Sequence, residues 1–284
     1  MGPFPHDAEK SKITQDNPVG TDGFEFVEFA SAEPQKLRDL FLQMGYTHVA
    51  NHKNKPIELW QQGDITYVLN TDPDSFASGF VKEHGPCAPS MGWRVVDARR
   101  ALAHVVKQGA EEYTGAGKVL DVPAIKGIGG SLDHLTHNVF KGNMNVWFKF
   151  YGDLFNFREI RFFDIQGKFT GLTSRALTSP CGRIRIPINE DRDEKGQIVA
   201  YLKKYNGEGI QHIAVGARNI YDATDKIAEN GLKFMPGPPD AYYNLSKTRV
   251  AGHQEPLDRM KNHGILIDGE GVVDGGETRI LLQI

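Results

Sequence analysis

The chain has 284 residues, 39% of them hydrophobic and 24% charged, and a formal net charge of −3. That length suits about two domains, and the balance is that of an ordinary globular protein, with no electrostatic case for nucleic acid or an anionic membrane surface. No apolar run approaches the roughly 18 residues that span a bilayer, and with only two thiols, Cys87 and Cys181, any metal here must be held by His and carboxylates.

Met1 to Gly20 is polar, holds three prolines and lacks the apolar stretch of a signal peptide; it is expected to be flexible. A repeat then organises the chain. The first unit, Gly23–Asn70, opens with the alternating strand Phe24–Phe29. A helix follows, with Ser31 as N-cap, Leu37, Leu40, Phe41 and Met44 at helical spacing, and Gly45 as its stop. Ile57–Gln61 and Ile65–Leu69 pair across a Gly63-Asp64 turn.

The second unit opens at Met91–Val96. Its helix starts near Asp97, buries Ala98, Ala101, Leu102, Val105 and Val106, and stops at Gly109. The third opens at Leu132–Leu135, continues with a helix carrying Met144, Trp147, Phe148 and Tyr151, and adds strands Glu159–Ile165, Phe169–Leu177 and Arg183–Asn189. Turns at Gln166-Gly167 and Ser179–Gly182 separate them. The fourth opens at Ile210–Val215, caps a helix with Asn219 that buries Ile220, Ala223 and Ile227 and stops at Gly231. It then runs through strand Leu232–Met235 into a proline-rich stretch and ends in strand Arg279–Ile284. Each unit reads strand, helix, strand, strand, with room for another strand, an α+β pattern whose sheets curl around a pocket. The expected organisation is a flexible segment 1–20, a metal-free domain 21–118, a linker 119–130 in the glycine-rich stretch Gly115–Gly130, and a metal-binding domain 131–284.

Laying unit one over unit three and unit two over unit four puts His134 opposite Phe26 and His212 opposite Trp93. One strand position thus carries histidine twice in the second half and an aromatic twice in the first, as though one domain held a metal and the other had filled that space with rings. A catalytic iron(II) requires a few ligands on one face and open positions on the other, which two neutral imidazoles and a carboxylate provide from rigid strands. A lone strand histidine is more often a satisfied core or surface residue; two at equivalent positions of a repeat are what a shared ligand set requires. His137, three residues past His134, falls on the opposite face and reads as structural. His6, His48, His52, His84, His104 and His253 read as surface or loop residues, and His263 as part of a turn.

The residues around these histidines carry a resemblance. Ser131–Val139 (SLDHLTHNV) and Gly207–Ala214 (GEGIQHIA) resemble the two histidine motifs of the 4-hydroxyphenylpyruvate dioxygenases. Asp153–Glu159, Gly171–Ser174, Arg185–Glu190, Pro238–Tyr243 and Leu281–Ile284 extend the similarity over nearly the whole chain. The resemblance implies two vicinal-oxygen-chelate domains, each from two β-α-β-β-β units forming a curled, open, barrel-like sheet. It implies Fe(II) bound by His134 and His212 in the second. Ser174, Asn189 and Gln197 would face the phenol end of the substrate, and Gln211 and Gln283 would lie nearer the iron and take part in catalysis. Such neutral groups orient a phenol without burying a charge. Read without the resemblance, each could equally be a turn or first-turn residue bonded to backbone or water.

The implied reaction takes 4-hydroxyphenylpyruvate and O2 to homogentisate and CO2 in tyrosine catabolism, in a cytoplasmic homo-oligomer. The family's third ligand, a Glu, is expected beyond Ile284, since Glu277 does not match it; residues 1–284 alone are therefore expected to be inactive. The rival readings are a hydroxymandelate synthase, which oxidises the benzylic carbon of the same substrate, a metal-free binding protein on the same scaffold, and an extradiol ring-cleaving enzyme.

Overall fold

The computed structural model describes residues 9–126, 134–166, 171–272 and 278–284. Its first half runs β1 (Thr21–Ala30), α1 (Pro34–Gln43), β2 (Thr47–Asn51), β3 (Ile57–Gln62), β4 (Ile65–Asn70), α2 (Phe76–His84), β5 (Cys87–Val95) and α3 (Ala98–Lys107). The second runs β6 (His134–Val139), α4 (Met144–Phe155), β7 (Arg158–Gln166), β8 (Gly171–Thr178), β9 (Arg185–Asp191), α5 (Gln197–Tyr205), β10 (Gly209–Ala214) and α6 (Ile220–Glu229). It closes with α7 (Asp240–Arg249), α8 (Leu257–His263), β11 (Leu266–Val272) and β12 (Thr278–Gln283).

The repeat is plain in the topology. One sheet has the order β2-β3-β4-β1-β5 and the other β7-β8-β9-β6-β10, so each strand of the first has its counterpart in the second. In both, the opening strand pairs in parallel with the fourth strand of its unit (β1 with β4, β6 with β9) and antiparallel with the first strand of the next. Local chemistry explains the boundaries. Gly63 takes the left-handed conformation (φ 57) that the tight β3–β4 turn requires. The Asp97 carboxylate caps α3, accepting from Arg99 N and Arg100 N at 3.0 Å each. Asn219 caps α6 in the same way.

The chain falls into two compact units, Arg38–Tyr46 with Gly216–Ile284, and Thr47–Val215 with the segment ending at Leu37. The larger has one core between α3, α4 and the inner face of its second sheet, built on Val105, Met144, Tyr151, Leu154, Leu177, Ile186 and Ile188. A second, around Phe26, Ile57, Val68 and Val119, lies on the first sheet. Asn17 and Val19, within the segment expected to be flexible, are buried. The smaller unit closes around Tyr221, Tyr243, Val250, Met260, Ile265 and Ile267, with β11 paired antiparallel to β12.

Several expectations need correction. Leu232–Met235 forms no strand, and Met235 is 87% exposed. Helix α6 buries Tyr221 and Thr224 rather than Ile220, Ala223 and Ile227, because a tyrosine can bury its ring while its hydroxyl reaches Glu255 at 2.7 Å. His263 ends α8 and meets Asp225, and His253 is buried with Nε2 on Ser246 Oγ at 3.2 Å. After α3 the described residues add only an isolated bridge, Glu112 with Ile125, where strands of the second unit were expected. The expected turn at Gly167 and the start of a strand at Phe169 lie outside the described residues.

Candidate functional site

Strand β6 alternates between two environments. Val139 and, on the neighbouring β9, Ile186 and Ile188 enter the core against α4. His137 shares that side; it is fully buried, touches the Tyr151 hydroxyl at 3.3 Å, and burial pushes its pKa down to about 3. The other face is polar. Register sets His134 opposite Ala214 and Thr136 opposite His212, so alternation places positions 134 and 212 on the same face, diagonal to each other. Asn138, Asn189 and Ser174 lie abreast in one row of that face across β6, β9 and β8. Thr136, Asn138 and Ser174 are all buried.

The His212 ring has hydrogen-bond contacts at both nitrogens. Nδ1 meets the amide oxygen of Gln211, and Nε2 lies 2.9 Å from the Thr136 hydroxyl. An amide oxygen only accepts, so the ring proton sits on Nδ1 and Nε2 takes the hydroxyl proton of Thr136. The residue is exposed, yet partial desolvation lowers the pKa of its ring, which favours the neutral imidazole that metal ligation needs. Gln211 owes its place to a register slip between Ile210 and His212, where it is the extra residue of a β-bulge, a device that re-aims side chains.

The remaining candidates differ in exposure. Asn189 is half-buried, its Nδ2 3.5 Å from Asn138 Oδ1. Gln197 is the first residue of α5 and exposed. Gln283 lies on β12, paired with Leu266 in the smaller unit, and is exposed. Glu277 is outside the described residues, and among the described residues no group of three His, Cys, Asp or Glu gathers. A cavity of about 380 Å³ opens on the α4 side of the sheet, beside Met144, Asn145, Glu190 and Arg175, and takes in none of the candidates.

Sequence reading passed over Thr136 and Asn138, although they stand two and four residues after His134 and strand alternation alone puts them on its face. The counterpart in the first half also needs correction. Phe26 pairs with Gly92, where an added Cβ would lie 2.3 Å from the phenyl ring. Trp93 pairs with Phe24 and stacks on Phe157 at 5.4 Å in the other core, so the two rings do not share one space. By register, the positions matching Thr136, His212 and Asn189 are Glu28, Ser90 and Asn70. These three are hydrogen-bonded to one another through the Glu28 carboxyl, whose pKa burial raises. The first half thus holds a closed polar cluster where the second offers an imidazole.

The chain is similar to known proteins along nearly its whole length. The family model of the N-terminal region of hydroxyphenylpyruvate dioxygenase matches residues 15–150, and that of the Glyoxalase/Bleomycin resistance protein/Dioxygenase superfamily matches residues 131–262. Hemolysin VllY of Vibrio vulnificus is 46% identical over 94% of this chain and 85% of its own. The 4-hydroxyphenylpyruvate dioxygenase of Pseudomonas aeruginosa is 45% identical over 96% of this chain and 87% of its own. A solved xylose isomerase-like TIM barrel/4-hydroxyphenylpyruvate dioxygenase fusion protein superposes with a TM-score of 0.74 at 26% identity, over 88% of this chain and 45% of the fusion.

Proposed function

The chain belongs to the 4-hydroxyphenylpyruvate dioxygenase family, and from that premise we propose that it converts 4-hydroxyphenylpyruvate and O2 to homogentisate and CO2 with Fe(II) held by His134 and His212. The 45% identity to a dioxygenase of that name over 96% of the chain carries this reading. It also disfavours hydroxymandelate synthase, ring cleavage and metal-free binding.

The metal, when bound, supplies the Lewis-acidic, redox-active centre at which the 2-oxo acid and dioxygen react. The protein's part is orientation. The Gln211 amide fixes the His212 tautomer, and the Thr136 hydroxyl holds its unprotonated nitrogen on the polar face. Ser174 and Asn189 lie abreast on that face, and we assign them the phenol end of the substrate, where neutral donors and acceptors bind a hydroxyl without burying charge. Gln197 would complete that end from the first turn of α5, and for Gln283 we propose a part in catalysis. For localisation and assembly we propose a cytoplasmic homo-oligomer. The free thiols Cys87 and Cys181 fit a reducing compartment. Exposed Ile160 and Phe162 on the edge strand β7 fit a subunit contact. The aromatic strands of the first half serve less well, because Phe26, Trp60 and Tyr67 are buried in the protein's own core.

The test is anaerobic loading with Fe(II), addition of substrate and oxygen, and product identification by mass and retention time. Homogentisate is expected once a third, carboxylate ligand joins the two histidines, and His134→Ala and His212→Ala should abolish it. Hydroxymandelate as product, or unaltered turnover in both variants, would refute the reading.

A further inference from the structure

The strand that carries His212 is pinned before it slips. Glu208, just ahead of β10, accepts three hydrogen bonds: Phe140 N and Asn143 Nδ2 at 2.7 Å on one oxygen, and Trp147 Nε1 at 2.8 Å on the other. The donors come from the end of β6, the turn after it and the first turn of α4, all more than sixty residues away. Asn143 is the N-cap residue of α4 yet makes no side-chain cap bond, since its amide is turned to Glu208 instead. On the other flank of β6, Glu190 of β9 accepts from Met144 N at 3.1 Å. One helix end therefore ties down both neighbours of β6, with charge-assisted bonds stronger than neutral ones.

The next residues allow little freedom. Gly209 stands opposite Asn138, and a Cβ there would lie 2.3 Å from the Tyr205 ring. The Tyr201 hydroxyl donates to the Ile210 carbonyl at 2.6 Å. Only then does the register slip, with Gln211 as the extra residue and His212 arriving opposite Thr136. A displacement of one residue in β10 would turn the imidazole to the opposite face. We infer that Glu208 is a positioning residue for His212, the anchor that sets the register of β10 and so decides which face the imidazole joins. This rests on the reading of His212 as a metal ligand.

Titration of the purified protein with Co(II) under anaerobic conditions, followed by its ligand-field absorption, tests the inference. Backbone hydrogen exchange and the thermal midpoint of the metal-free protein are measured alongside, with His212→Ala as control. Glu208→Gln keeps an oxygen for two donors but turns an amide N–H toward the Trp147 N–H. It should weaken Co(II) binding roughly 10–100-fold, the usual effect of losing a group that orients a ligand. It should also alter the absorption bands and speed exchange at residues 209–213. Trp147→Phe, which removes one donor only, should move all three readouts the same way by less, and it carries the test if Glu208→Gln does not fold. A lowered thermal midpoint with Co(II) affinity and spectrum unchanged would reduce Glu208 to a structural brace and overturn the inference. If His212→Ala binds Co(II) like the parent, the metal reading itself fails, and the inference with it.

Discussion

His137 makes a quantitative test of the architecture. It stands on β6, on the face turned to α4, with no exposure, and burial holds its pKa near 3 against an ordinary 6.5. The sign follows from linkage. The folded pKa is depressed, so between about pH 6.5 and 3 the unfolded chain takes up a proton that the folded protein refuses. Stability from this residue is complete above 6.5 and lost as the pH falls toward 3. At about pH 4.5, two pH units below the ordinary value, the loss is roughly 3 kcal/mol at ~1.4 kcal/mol per unit. Urea denaturation at about pH 7.5 and 4.5 should show that loss in the parent protein, on top of what the carboxylates contribute. His137→Phe fills similar space without titrating, so its stability should fall by roughly 3 kcal/mol less over the same interval. Parallel losses in the two proteins would mean that His137 is solvated or ion-paired, and would refute the assignment of its face.

Two further changes probe the supports of the second sheet. Gly196 caps α5, and a Cβ there would lie 2.1 Å from the Asp191 carboxylate, which accepts from Val199 N at 2.8 Å. Gly196→Ala should cost about 2–4 kcal/mol from overpacking and the lost cap and raise KM by shifting Asn189 two residues upstream, measured by urea midpoints and steady-state kinetics. Asp97→Ala removes the cap of α3 and should lower stability by about 1 kcal/mol while leaving kcat and KM unchanged.

Much of this protein could be read from its sequence because the signals are local. Asp97 and Asn219 were legible as caps, Gly63 as a turn, and the strand and helix periods of the first and third units by spacing. The repeat was legible too, and it reaches further than the strands: α5, between β9 and β10, has its counterpart in α2, between β4 and β5. The motifs that flank the two histidines located the family.

What the sequence could not settle depends on pairing between distant strands. A single-residue slip after Ile210 makes Gln211 a bulge and sets His212 against Thr136, and no local propensity encodes that slip. A comparable irregularity in β1 separates Phe26 from the partner of Trp93, so an overlay counted along the chain joined two rings that fold onto different cores. The role of Glu208 was equally hidden, because its three donors become neighbours only when α4 closes on β6. Side-chain alternation and capping belong to neighbouring residues and are written in their order. Register belongs to pairs of strands, and it exists only once the sheet has formed.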